Sequence, residues 1–114
     1  MQFSKETMKG SVEVIVLKAL ADEKAYGYEL VERITRISGN IFELQEGTLY
    51  PLLYRLEDHG DVKSSVMTTP GGKQRRYYTI TNQGKKLLKA KTSEYVTFIY
   101  GLQKALNLSR YANV

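Results

Sequence analysis

One continuous stretch, Gly47–Lys91, decides how this chain folds, and it reads GTLYPLLYRLEDHGDVKSSVMTTPGGKQRRYYTITNQGKKLLKAK. An amphipathic helix ends at Gly60, and the strand candidates Asp61–Thr68 and Lys73–Ile80 flank a Pro-Gly-Gly turn before a further helix. This order is typical of a winged helix-turn-helix, which places a helix for the DNA major groove beside a cationic hairpin for the phosphates. The sequence therefore predicts a mainly α fold with a small β-hairpin, extended by a long C-terminal helix.

The net charge of +5 is unevenly distributed along the chain. Residues 61–91 carry eight Lys and Arg side chains against the single acid Asp61, which is a local balance of +7. Three of these side chains, Lys73, Arg75 and Arg76, crowd one tight turn, where they repel each other and a bound polyanion would relieve the repulsion. The lysines of residues 85–91 are explained equally well by a solvated helix face.

Composition indicates the class of protein. A chain of 114 residues with 42% hydrophobic residues has room for one globular domain. No apolar run approaches the ~20 residues that cross a bilayer, and the first residues lack the pattern of a signal peptide. The absence of cysteine excludes disulfides and thiolate metal sites and suits a reducing compartment. We expect a cytoplasmic protein with no membrane association and no metal or other cofactor.

Hydrophobic spacing predicts three helices before the hairpin. The first, Ser4–Ala21, is apolar on two sides, which is typical of a helix packed between its own core and a partner. The second spans Tyr28–Ser38 and is ended by Gly39-Asn40. The third, Glu46–His59, carries a leucine stripe of i, i+3, i+4, i+7 spacing. We also expect a one-bridge strand against the hairpin at Ile41–Leu44.

The last helix is predicted to start from Thr81 as its N-cap and to reach about Asn107. From Gly84 it is ~36 Å long, more than a domain of this size covers alone. Its apolar residues step by 4, 3, 4, 3, 4, a heptad spacing that favours a partner chain over packing on its own domain alone. The predicted dimerisation residues are Leu88, Thr92, Tyr95, Ile99, Leu102 and Leu106, with Val12 of the first helix. Residues 1–81 are thus predicted to form the winged helix-turn-helix, residues 82–107 the dimerisation helix packed on it, and residues 108–114 a tail.

Several motifs resemble those of the PadR-like transcriptional regulators, in the same order and spacing. They are Tyr26-Gly-Tyr-Glu-Leu30, Glu46-Gly-Thr-Leu-Tyr-Pro-Leu-Leu-Tyr-Arg-Leu-Glu-Asp-His-Gly60, and Arg75-Arg-Tyr-Tyr-Thr-Ile-Thr81 followed by Gly84. The single C-terminal helix resembles the compact branch of this family. The resemblance implies a homodimer that represses transcription from dyad-symmetric operators and, in many members, releases DNA on binding a small aromatic ligand. A pocket of stacked indoles, found in some compact members, is not carried over because the chain has no tryptophan.

Candidate DNA-binding residues lie on the third helix, the hairpin and the start of the second helix. They are Tyr28, Gly47, Thr48, Tyr50, Pro51, Tyr54, Arg55, Lys73, Gln74, Arg75, Arg76 and Tyr78. Arg55 suits either a guanine edge or a phosphate, and Tyr50 suits either DNA contact or a half-buried core position. Strand alternation sends Arg75 and Arg76 to opposite faces, and it leaves open which of Tyr77 and Tyr78 fills the core. For a possible small aromatic effector the candidates are Tyr95, Phe98 and Tyr100, which are equally explained as core rings.

Other functions account less well for these features. A winged-helix protein–protein adaptor without DNA binding is the main alternative, but such a protein has no need of Lys73, Arg75 and Arg76 in one turn. Catalysis lacks a basis, because the only histidine, His59, has no Ser/His/Asp set or metal cluster around it. RNA is disfavoured because a helix does not enter the narrow A-form major groove. The sequence therefore predicts a DNA-binding regulator and no enzyme.

Overall fold

A computed structural model describes residues 3–111 and shows five α-helices and one β-hairpin over this range. The elements are α1 (Lys5–Met8), α2 (Ser11–Asp22), α3 (Gly27–Ile37), α4 (Glu46–Asp58), β1 (Val62–Thr68), β2 (Gln74–Ile80) and α5 (Asn82–Ala105), followed by a short 3₁₀ helix (Leu108–Tyr111). The predicted fold class, mainly helical with a small hairpin, is confirmed. No helix of the described range is both long enough and apolar enough to span a membrane.

The first predicted helix is in fact two helices. Gly10 adopts a φ of +82°, in the left-handed region that glycine tolerates, and separates α1 from α2. The hydroxyl of Ser4 accepts a hydrogen bond from the Thr7 amide at 3.2 Å and caps α1. The prediction of one continuous helix over Ser4–Ala21 was therefore wrong, because apolar periodicity continues through a glycine at which the backbone turns.

Helices α2, α3 and α4 enclose the core. The predicted leucine stripe of α4 is buried in full, against apolar side chains of the other two helices. The buried helical residues are Val16, Leu17, Ala19, Leu20, Leu30, Ile34, Leu49, Leu52, Leu53 and Leu56. The predicted stop after α3 is confirmed, since Gly39 and Asn40 have φ angles of 64° and 66°. These contacts fix the direction in which α4 presents its opposite face.

The hairpin, which we call the wing (residues 62–80), is antiparallel from Val62↔Ile80 to Thr68↔Gln74. A third segment pairs with the wing through a single residue, but it is not the segment that the sequence predicted. Ala25, between α2 and α3, pairs with Tyr78 through hydrogen bonds of 3.1 and 2.8 Å, whereas residues 41–45 have no strand. The expected bridge at Ile41–Leu44 was wrong because that segment is taken up by the turn from α3 into α4.

The helix α5 begins as predicted and then leaves the core. The Thr81 hydroxyl accepts from the Gly84 amide at 3.0 Å and caps the helix. Gly84 packs so closely on the Asp61 carbonyl that a Cβ there would overlap it. From Lys89 to Leu106 every residue except Tyr95 is exposed. The C-terminal half of α5 therefore has little to pack against within the described part of one chain.

Candidate nucleic-acid interface

The outer face of α4 is free for a partner molecule. Gly47, Thr48, Pro51, Tyr54 and Arg55 are exposed in a row opposite the leucine stripe. Pro51 is the sixth residue of the helix, so it has no amide to offer the carbonyl four residues earlier. That carbonyl belongs to Gly47, around which no atom lies within 4 Å of the position of a Cβ. Backbone as well as side chains of α4 can therefore approach a ligand.

Tyr50 links α4 to the start of α3. Its ring and hydroxyl fill the space that a Cβ of Gly27 would occupy, so Gly27 is required for this packing. The ring lies 6.2 Å from that of Tyr54 on the outer face. Burial raises the pKa of Tyr50, and the charge of Glu46 raises it further. Both alternatives that the sequence left for Tyr50 meet in this position, because it is half-buried and also borders the exposed face.

The two arginines of β2 lie on opposite faces of the wing, as alternation predicted. The Arg75 guanidinium sits 5.9 Å from the centre of the Tyr26 ring and borders a recess with Tyr28, Glu46 and Tyr50. Arg76 donates to the Ser64 hydroxyl at 3.1 Å. Arg75 thus faces the N-terminal ends of α3 and α4, while Lys73, Gln74 and Arg76 are exposed along the wing.

Tyr78 lies in the core and is not available to DNA. It is 1% exposed and packs with Val62 and Ile80. Its selection as a DNA-binding residue was wrong, and the half-buried Tyr77, edge-on to Tyr26 at 5.3 Å, is the tyrosine on the outer face. The alternation of side chains along β2 indicates which tyrosine is buried, because Ile80 is apolar and Tyr78 lies two residues before it on the same face.

Tyr28 is exposed at the N-terminal end of α3, as the sequence predicted. Its side chain is 55% exposed. Interaction with the Glu32 carboxylate one turn later raises the pKa of the Tyr28 hydroxyl. The Tyr28 side chain borders the same recess as Arg75.

Comparison with known proteins identifies the architecture. The model of the PadR-like transcriptional regulator family matches residues 16–90. This chain belongs to the PadR-like family. A solved transcriptional regulator from Clostridium thermocellum is 31% identical, with a TM-score of 0.79 over 90% of this chain and 97% of that one. A PadR-like regulator from Bacillus cereus is 26% identical, with a TM-score of 0.77 over 89% and 96%. A transcriptional regulator from Mycobacterium tuberculosis is 31% identical over 74% of this chain and 75% of its own length.

The helix α5 carries most of the dimerisation residues and all of the effector residues that the sequence predicted. Leu88 and Tyr95 are half-buried, as is Val12 on α2, whereas the other predicted dimerisation residues are exposed: Thr92, Ile99, Leu102 and Leu106. Tyr95 and Phe98 meet edge to face at 6.2 Å, while Tyr100 lies under the Lys104 ammonium group at 5.6 Å. Of the predicted effector residues, Phe98 and Tyr100 are therefore exposed on the surface of this protomer, whereas Tyr95 is half-buried.

Sequence reasoning missed the partner of Arg55. The carboxylate of Glu13 on α2 accepts from Arg55 Nε at 3.1 Å and from Nη2 at 2.8 Å. The two residues are 42 positions apart, so no local spacing reveals the contact. Among residues 3–111 no group of three or more His, Cys, Asp or Glu side chains is arranged to hold a metal.

The buried Tyr78 hydroxyl makes a testable prediction about stability. It has no hydrogen-bond partner among the described residues, and an unsatisfied buried hydroxyl costs about 1–3 kcal/mol. We expect Tyr78→Phe to keep or raise the free energy of unfolding, measured by urea denaturation at pH 7. Tyr54→Phe, which removes an exposed hydroxyl, is the matched control and is expected to have no effect. A large loss of stability in Tyr78→Phe would show that the buried hydroxyl has a hydrogen-bond partner and would contradict this account.

The same hydroxyl gives the protein a pH dependence. Burial raises the pKa of Tyr78 above its ordinary value of 10.0. A raised folded-state pKa means that the folded protein holds the proton more tightly than the unfolded chain. The stability that this proton contributes is therefore fully present below pH 10, and it is lost as the pH rises through the folded-state pKa of Tyr78. Tyr78→Phe is expected to lose less stability than the wild type between about pH 9 and 11, whereas identical losses would contradict this account.

Proposed function

We propose that this PadR-like regulator binds double-stranded DNA as a homodimer and represses transcription from a dyad-symmetric operator. The observation that carries the proposal is the pairing of an exposed α4 face with a cationic wing at its side. The first offers polar, aromatic and backbone groups of the right size for a major groove, and the second offers charges for the flanking phosphates. We also propose that the protein acts in the cytoplasm.

The electrostatic part of the proposal rests on the excess of basic over acidic residues within the wing. Of the residues in the wing, Lys63, Lys73, Arg75 and Arg76 are basic, and none is acidic. All four side chains are exposed. Like charges held this close favour a polyanionic partner, and release of its counterions supplies much of the affinity for duplex DNA. An adaptor protein without DNA binding gains nothing from this arrangement.

Residue roles follow from position. Gly47, Thr48, Pro51 and Tyr54 are proposed to meet base edges or the groove floor, because they are exposed on the outer face of α4. Tyr28, Tyr50 and the wing residues Lys73, Gln74, Arg75 and Arg76 are proposed to hold phosphates on one side of α4. Arg55 lies on the other side of this helix. These assignments separate residues that specify sequence from residues that position the protein.

The dimer is supported by the surface of α5. Val96, Ile99 and Leu106 are 66%, 50% and 60% exposed, and apolar side chains of this size at heptad-like spacing bury readily against a second helix. We propose that α5 supplies the main dimer contact, next to Val12 of α2, and that residues 1–81 and 82–107 form the DNA-binding and dimerisation parts. Release by a small aromatic effector near Tyr95, Phe98 and Tyr100 stays a prediction of the family resemblance.

The division of roles predicts two classes of DNA-binding mutant. Arg75→Ala and Arg76→Ala are expected to weaken operator and random duplexes by similar factors and to flatten the plot of log K against log salt by about one unit each. Tyr54→Ala is expected to reduce the ratio of operator to random affinity, because it removes a group from the groove-facing helix. Fluorescence anisotropy over a salt series measures both quantities, with an operator selected from genomic fragments by the purified protein.

Lys104→Ala is the charge control for this experiment. It also removes one positive charge, but from the last turn of α5, away from the wing, and is expected to leave the slope unchanged. Equal slopes for wild type, Arg75→Ala and Arg76→Ala would contradict the wing's role. Equal losses on operator and random DNA in Tyr54→Ala would show that Tyr54 positions the protein and reads no sequence. Absence of any duplex binding would favour the adaptor alternative.

Assembly through α5 is tested separately. Leu102→Asp places a charge in the proposed seam, where burial without a partner is costly, and it is expected to shift the protein towards monomer in sedimentation equilibrium and to reduce operator affinity. Ala90→Asp introduces the same charge on the opposite side of α5 and is expected to preserve the dimer. An unchanged dimer in Leu102→Asp would move the interface elsewhere, to α2 in the first instance.

A further inference from the structure

The contact between Glu13 and Arg55 joins the proposed DNA-reading helix to α2. Both hydrogen bonds end on the same carboxylate oxygen, at 3.1 Å from Nε and 2.8 Å from Nη2. The pair is the one salt bridge between different elements in the described range. It lies on the side of α4 away from the wing, where Thr48, Pro51 and Arg55 border a recess with α1 and the start of α2.

This geometry occupies one edge of the guanidinium and leaves another edge open. A guanidinium has five N–H groups, and its side-on edge consists of Nε–H and one hydrogen of Nη2. Glu13 takes that edge. The end-on edge, formed by Nη1 and the second hydrogen of Nη2, has no acceptor among the described residues. Arg55 can therefore offer a bidentate contact while it remains held by Glu13.

The pairing also changes which kind of DNA affinity Arg55 supplies. A lone arginine attracts any phosphate backbone, since that attraction depends on net charge and carries no sequence information. Paired with a carboxylate, the arginine loses most of this long-range attraction but keeps its directional donors. A bidentate contact to a guanine edge discriminates against the wrong base. The pair thus favours specific over general binding.

Stability of the fold does not explain the pair. The Arg55 and Glu13 side chains are 55% and 36% exposed, and exposed ion pairs contribute only about 0–1 kcal/mol. The leucine stripe of α4 and the apolar residues of α2 are buried in the shared core without it. A weak surface pair with a fixed two-bond geometry is better suited to orienting a side chain than to holding a fold.

We infer that Glu13 is a positioning residue that sets DNA specificity by orienting Arg55 towards a guanine edge of the operator. The inference rests on the proposed DNA-binding function. Glu13 itself touches no base. Its carboxylate fixes the side-on edge of Arg55 and cancels its charge, so that Arg55 adds to operator affinity and little to affinity for random duplex.

The test compares Glu13→Gln and Glu13→Asp with the wild type on the selected operator and on a random duplex, over a salt series. Glu13→Gln frees the charge of Arg55, so random-duplex affinity is expected to rise up to about tenfold at ~0.1 M salt, with a slope steeper by about one unit. Operator affinity is expected to rise less than about twofold, so that the operator-to-random ratio falls by about fivefold. Glu13→Asp keeps the charge but shortens the reach, so the ratio is expected to fall without a change in slope.

Glu6→Gln is the matched control. Glu6 lies on α1 in the same recess as Arg55 but makes no hydrogen bond to it. Its neutralisation removes the same charge from the same side of α4, and it is expected to raise affinity for both duplexes by similar factors. The specificity ratio is therefore expected to separate Glu13→Gln from Glu6→Gln even though both variants gain the same net charge.

The outcomes distinguish a failure of the role of Glu13 from a failure of the proposed DNA binding. A wild type that binds no duplex, or binds all duplexes equally, would overturn sequence-specific binding itself. A wild type with a clear operator preference, together with equal ratios in Glu13→Gln, Glu13→Asp and Glu6→Gln, would overturn the role of Glu13 alone. Circular dichroism and thermal midpoints within about 3 °C of the wild type, as expected for a surface pair, show that a ratio change does not come from unfolding.

Discussion

The backbone bridge between Ala25 and Tyr78 is the constraint on which the rest of the structure depends. Two hydrogen bonds, of 3.1 and 2.8 Å, add the turn before α3 to the wing as a third, one-residue strand. The bridge also points the Tyr78 side chain into the core, and therefore sends Arg75 and Tyr77 to the outer face. Beside it, the ring of Tyr50 packs on Gly27. Together these contacts hold the wing beside α4, as the proposed DNA-binding surface requires.

The same body supports two surfaces with opposite properties. The α4 and wing surface is polar and cationic, whereas the C-terminal half of α5 exposes apolar side chains that the rest of the protomer does not cover. Helix α2 and its N-cap Gly10 lie near both regions, since Glu13 reaches Arg55 of α4 and Gly10 lies near the Tyr95 hydroxyl of α5.

Strong local patterns in the sequence predicted most of this architecture. The leucine stripe predicted α4. The Gly39-Asn40 pair predicted the end of α3, and the Thr81 cap predicted the start of α5. The errors arose where local and long-range terms compete. Periodicity does not report the positive φ of Gly10, and in β2 only Ile80, at the end of the strand, marks which face is buried. Contacts such as Glu13 with Arg55 depend on how helices distant in sequence pack, so no single-segment pattern contains them.

The central claim is that the outer face of α4 and the wing together contact duplex DNA. Amide chemical-shift mapping of the ¹⁵N-labelled protein during titration with the selected operator tests it most directly. The account predicts the largest shifts at Gly47 and Thr48 of α4 and at Gly71 and Gly72 of the wing tip, with little change at Glu32 and Arg36 on the outer face of α3. Shifts concentrated on α3 or α5, with α4 and the wing unmoved, would contradict it.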